Sequence, residues 1–174
     1  MGRRVIEFRP LLGPGFHTMS LDRLHSLAVA GSPGQALRQE LFAKLVGFVS
    51  ELISLGIPCD LWIDGSFLTE ADDPDDIDIS VRVMDDVMDT LTTGQNAFLE
   101  AVRRDDRHYI AGLDVHVFAG YWIGHPMHGT EADDGYCVML PSWGTQFGKG
   151  EDNWLKGIVV VPVMETDLGL RIRA

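Results

Sequence analysis

The chain has 174 residues and a net charge of −12, from 14 Lys and Arg against 26 Asp and Glu. With 45% hydrophobic and 23% charged residues it is too apolar for wholesale disorder and long enough for one domain with its own core. The acidic balance argues against a broad nucleic-acid-binding face, which needs clustered Lys and Arg, and no apolar run is long enough to span a bilayer.

The expected elements follow in chain order. The N-terminus Met1-Gly2-Arg3-Arg4 is basic, but no apolar stretch follows it and Ile6 stands where a myristoylation signal needs Ser or Thr. No membrane attachment is expected, and the expected compartment is the cytoplasm. Pro10, Gly13, Pro14 and Gly15 punctuate residues 1–31, which read as an irregular arm of the single domain 1–174. Ser32 as N-cap, Pro33 and Gln35 then open a helix. Its stripe runs through Leu37, Leu41, Leu45, Phe48, Leu52 and Leu55, and Gly56 and Pro58 end it. Leu61-Trp62-Ile63 reads as a strand leading into Asp64-Gly65-Ser66 and an acidic loop to Asp75. Ile77, Ile79, Val81 and Val83 alternate with Asp78, Ser80 and Arg82, the period of a half-buried strand. Residues 84–104 are weakly helical. Leu113, Val115 and Val117 alternate again, and Gly157 to Val163 reads as a buried strand. This order predicts an α/β or α+β fold, a mixed sheet with helices packed on one face. Cys59 and Cys137 fit neither a disulfide framework nor a Cys-based zinc site.

The chemistry concentrates in Gly65-Ser66, a spacer at 67–75, and Asp76-Ile77-Asp78-Ile79. On a strand, residues i and i+2 share a face about 7 Å apart. Ile77 and Ile79 then enter the core while Asp76 and Asp78 project together from the other side. Two adjacent carboxylates repel unless a cation neutralises them, and Mg²⁺ favours carboxylate and phosphate oxygens. Asp114, between Leu113 and Val115, repeats the pattern and can join them if its strand is a neighbour. Three such acids can hold two metal ions for phosphoryl transfer. Gly65 lets a ligand approach the backbone, and its turn amides and the Ser66 hydroxyl can donate to phosphate oxygens.

Trp62-Ile63-Asp64-Gly65-Ser66 followed by Asp76-Ile77-Asp78-Ile79, with Asp114 in Leu-Asp-Val, resembles the signature of the polymerase-β-like nucleotidyltransferase superfamily. The resemblance implies the polymerase-β-type nucleotidyltransferase fold and a site that holds Mg²⁺ (or Mn²⁺). It implies transfer of a nucleoside monophosphate from an NTP, ATP among the candidates, with release of pyrophosphate. Asp76, Asp78 and Asp114 would be catalytic and metal-binding, and Gly65, Ser66 and Lys156 nucleotide-binding. Leu11-Leu12-Gly13-Pro14-Gly15, Trp62 to Phe67, and Phe147-Gly148 with Lys156-Gly157-Ile158-Val159 extend the likeness to a family of small uncharacterised bacterial nucleotidyltransferase-like proteins. Many small adenylyltransferases of the superfamily carry an arginine soon after the Gly-Ser turn. The spacer here holds no basic residue, so help must come from Lys149, Lys156, Arg103, Arg104, Arg107 or a partner chain. Lys156, beside the last strand, is the favoured source.

Plainer readings exist for each residue. Asp64 and Ser66 can fix the turn through side-chain hydrogen bonds, and Asp72, Asp73 and Asp75 can be loop solubilisers. His116, on the face of Asp114, reads as a strand histidine at the edge of the site, and a zinc site with His125 and His128 has only a weak pattern. Two further functions compete with the transferase. One is a catalytically weak or inactive interaction or regulatory protein, antitoxin-like, whose acidity suits a basic partner protein. The other is a glycosyltransferase using Asp-x-Asp, which the Gly-Ser turn disfavours.

Overall fold

A computed structural model describes residues 8–104, 110–120 and 156–163. The residues in these ranges form a mixed α+β fold. β1 (Gly15–Thr18) and α1 (Leu21–Ala28) are followed by α2 (Gln35–Leu55), β2 (Cys59–Asp64) and β3 (Ile77–Met84). The short α3 (Asp85–Met88), α4 (Thr93–Arg104), β4 (Leu113–Gly120) and β5 (Gly157–Val163) complete the order. The sheet has five strands in the order β1-β5-β2-β3-β4. β1 runs parallel to β5 and β3 parallel to β4, while β2 is antiparallel to both β3 and β5.

The period-two alternation of the strands sorts the two faces. Leu61, Ile63, Ile77, Ile79, Val81, Val83, Leu113, Val115, Val159, Val161 and Val163 are buried in one core. Leu24 and Ala28 of α1, Leu41, Leu45, Phe48 and Leu52 of α2, and Leu99 and Val102 of α4 join them there. The opposite face carries Trp62, Asp64, Asp78, Ser80, Arg82, Asp114 and His116, as the strand register requires. Phe16 and Arg82 both lie against the Trp62 ring on this face, at 4.9 and 5.2 Å.

The arm is more ordered than its Gly and Pro content suggests. β1 and α1 both lie within residues 1–31, and Ser20 caps α1 by accepting from the Arg23 amide. Residues 9–11 run along the spacer, where the Leu11 amide donates to the Leu68 carbonyl and the Glu70 amide to the Arg9 carbonyl, both at 2.9 Å. The start of α2 also differs from expectation. Gly34, not Ser32, is the N-cap, with φ +65° and no side-chain cap. A Cβ there would collide with the Asp72 carbonyl, so close approach to the acidic loop replaces the capping box. The expected stop holds, because Gly56 closes α2 in the left-handed region at φ +67°. The helical stretch after β3 splits in two, and Thr92 and Gln95 form a capping box at the start of α4. Among the described residues, no helix is long and apolar enough to cross a membrane.

Candidate functional site

β2 leaves the sheet at Asp64, and Gly65 makes the turn with φ +87°, a conformation that any side chain would strain. A Cβ on Gly65 would fall on the Asp78 carboxylate. Glycine is therefore needed twice, for the backbone angle and to let Asp78 lie against the turn. Ser66 starts a single 3-10 turn, Ser66–Leu68, which drives Phe67 and Leu68 into the core. Thr69 donates its amide and its hydroxyl to the Ser66 carbonyl, so backbone and Thr69 fix the turn.

The strand register sets the acids side by side. Asp64 on β2 is the Cα partner of Asp78 on β3, and Asp78 is the partner of Asp114 on β4. Asp76 lies one residue before β3, where the Ile77 amide donates to the Gly112 carbonyl. The three acids singled out in the sequence are thus brought together. Burial raises the Asp76 carboxyl above its ordinary range, with Asp114 and Asp75 adding to the shift. Burial first, then Asp76 and Asp114, push Asp78 up to about 6, and Lys156 opposes them. Lys156 is half-buried just before β5 and so stands by the acid row, where the sequence favoured it. Of the alternative cations, Arg103 pairs at 3.9 Å with Glu100 on the outer side of α4, Arg104 ends that helix, and Arg107 and Lys149 lie outside the described residues.

Two residues carry more than the sequence reading gave them. Asp64 is 1% exposed, and neither of its oxygens has a partner at hydrogen-bond geometry. Burial pushes its carboxyl up to about 7, the Gly65 backbone amide and the Lys156 charge oppose the rise, and Asp78 adds to it. The visible signal was its place two residues beyond Trp62, on the outward face of β2. Arg38 is the other. It is fully buried, and Nη1 donates to the Ala28 and Phe67 carbonyls while Nη2 donates to those of Thr69 and Ala71. Its guanidinium also lies 5.5 Å from the centre of the Phe67 ring. The spacer lacks an arginine of its own, and one from α2 holds its backbone instead. The signal was a charged residue three before Leu41, on the buried stripe of the helix.

His116 faces the same side as Asp114, with Nε2 3.3 Å from Asp114 Oδ1. That oxygen is buried, so His116 is the side chain that meets it. His125 and His128 of the zinc alternative lie outside the described residues. A groove of about 420 Å³ between β1, α1, α2 and the far end of β5 includes none of the acids.

The donors present fit a hard divalent cation, since they are carboxylates and both oxygens of Asp64 are buried without a hydrogen-bond partner. Among the described residues, no group of three or more His, Cys, Asp or Glu side chains is already gathered as metal ligands. Cation binding would therefore require the carboxylates to change rotamer.

The segment Leu11 to Gly15 packs against both the spacer and the start of β5, and Phe147 and Gly148 lie outside the described residues. Leu11 bonds the spacer, and a Cβ on Gly157 would meet the Gly13 carbonyl oxygen and Leu12. No curated protein and no solved structure matches the chain. The model of the family of unknown function DUF6932 matches residues 6–162, which include β1 through nearly all of β5 and every residue of the acid row, and the chain belongs to that family.

Proposed function

We propose that the acid row serves an Mg²⁺- or Mn²⁺-dependent nucleotidyltransferase that moves a nucleoside monophosphate from an NTP to an acceptor hydroxyl on a protein, an RNA end or a small molecule. The observation that carries the reading is the pairing of Asp78 with Asp114 across β3 and β4, with Asp76 beside them and the Gly65 turn against Asp78. Asp76, Asp78 and Asp114 would hold the ions, which when bound neutralise charge on the attacking and leaving oxygens. The Gly65-Ser66 turn would receive the triphosphate. Lys156 would place a positive charge on the same side as the phosphates, the role that the spacer cannot fill. In the reaction the acceptor oxygen bonds the α-phosphorus as the bond from it to the bridging oxygen breaks. Pyrophosphate leaves with that bonding pair, and Asp114 takes the hydroxyl proton.

The test is calorimetric titration of Mg²⁺ with each NTP into the wild type and the Asp76→Ala/Asp78→Ala double variant, followed by transfer from α-labelled NTPs. Binding and transfer that vanish in the double variant support the reading. Binding that ignores the double substitution, or none with any NTP, refutes it. The net charge of −12 and the base-free spacer favour a second reading, a weakly active or inactive regulatory protein that docks a basic partner. A stoichiometric co-purified partner, with no label transferred, would establish that alternative.

A further inference from the structure

We propose that Asp64 is a fourth carboxylate of the cation centre, so that the centre is built across β2, β3 and β4 and not across β3 and β4 alone. The inference rests on the cation reading above and extends it to a residue which that reading does not use.

Register and burial carry the argument. Asp64, Asp78 and Asp114 are successive Cα partners across three adjacent strands. They stand at one level on one face of the sheet, at the strand spacing of about 4.8 Å. Asp64 is the most deeply buried of the row, at 1% exposure, yet both its oxygens lack a hydrogen-bond partner. A carboxylate buried without a donor is strongly disfavoured unless a ligand or a cation compensates it. The turn does not need Asp64, because Gly65 supplies its backbone angle. What remains is a hard oxygen ligand, at one level of the sheet with two others, that a change of rotamer would bring onto a shared cation.

The experiment compares the wild type, Asp64→Asn and Asp64→Ser, each titrated with Mn²⁺ alone. Binding is read by calorimetry and by the electron paramagnetic resonance of free Mn²⁺, and the melting temperature is followed with and without the ion. Both substitutions remove a deeply buried charge that its neighbours only partly offset, so both are expected to raise the melting point of the ion-free protein at pH 8 by about 3 °C or more. Both are also expected to weaken Mn²⁺ binding at least tenfold and to lose the ion's stabilising effect. A merely structural Asp64 would give neither the gain without the ion nor the loss with it. Mn²⁺ affinity unchanged from the wild type in either folded variant overturns the proposal while leaving the cation reading intact. A wild type that binds no Mn²⁺ overturns both.

Discussion

The carboxylate of Asp78 fills the space that a side chain on Gly65 would need, so strand β3 and the turn after β2 are fitted to each other at the acid row. Gly65→Ala must therefore do two things. It strains a residue at φ +87° and displaces Asp78. We expect a loss of roughly 1–3 kcal/mol in urea unfolding, with weaker divalent-cation binding in the fraction that folds. A variant with wild-type stability and binding would contradict the fitted turn.

Acidity should stabilise the protein in the absence of divalent ions. Folded Asp78 releases its proton near pH 6 and Asp64 near pH 7, both above the ordinary value of 3.8. Between these limits the native chain holds protons that the unfolded chain has released, so stability falls as pH rises. The contribution is fully present below about pH 4 and lost by about pH 7 to 8. It amounts to a few kcal/mol, on the order of 1.4 per pKa unit. Urea midpoints measured from pH 4.5 to 8 should fall for the wild type and fall less for Asp64→Asn. Equal slopes for the two proteins would remove Asp64 from the account.

Arg38 is a different kind of buried charge, because four carbonyls surround it. Arg38→Met leaves those carbonyls unpaired in the interior and should cost about 3–5 kcal/mol. Arg38→Lys should recover little, since an ammonium cannot present the planar fork that reaches Ala28, Phe67, Thr69 and Ala71 together. Hydrogen exchange should show the 66–71 backbone opening more often in both variants. Protection unchanged from the wild type would show that the spacer holds without the arginine.

Cys59 should be inert. Burial, with Asp60 adding to it, pushes its thiol up to about 12, leaving almost no thiolate at neutral pH. In a Cys137→Ser background, a thiol reagent should label Cys59 only after denaturant is added. Labelling of the native protein on the timescale of mixing would contradict the buried environment.

Much of the fold was legible because the strands obey simple periodicity. The alternation from Ile77 to Val83 and at Leu113, Val115 and Val117 gave the buried face, and with it the shared outward face of Asp78 and Asp114. Gly56 marked the end of α2 for a purely local reason, its left-handed backbone. What escaped depends on contacts far apart in sequence. β1 has only four residues, and its strand character comes from parallel pairing with β5. Gly34 displaced Ser32 as the cap because the Asp72 carbonyl packs against it. Asp64 passed for a turn residue because its pairing with Asp78 appears only once β2 and β3 are aligned. Arg38 went unremarked because its partners are backbone carbonyls, which no side-chain pattern records.

The central claim is that the acid row binds a divalent cation together with a nucleoside triphosphate, and calorimetry on the wild type beside Asp76→Ala/Asp78→Ala tests it most directly. The account predicts saturable, Mg²⁺-dependent binding of at least one NTP to the wild type and none to the double variant. Equal binding by both proteins, or an absence of binding by the wild type with Mg²⁺ or Mn²⁺, would contradict it.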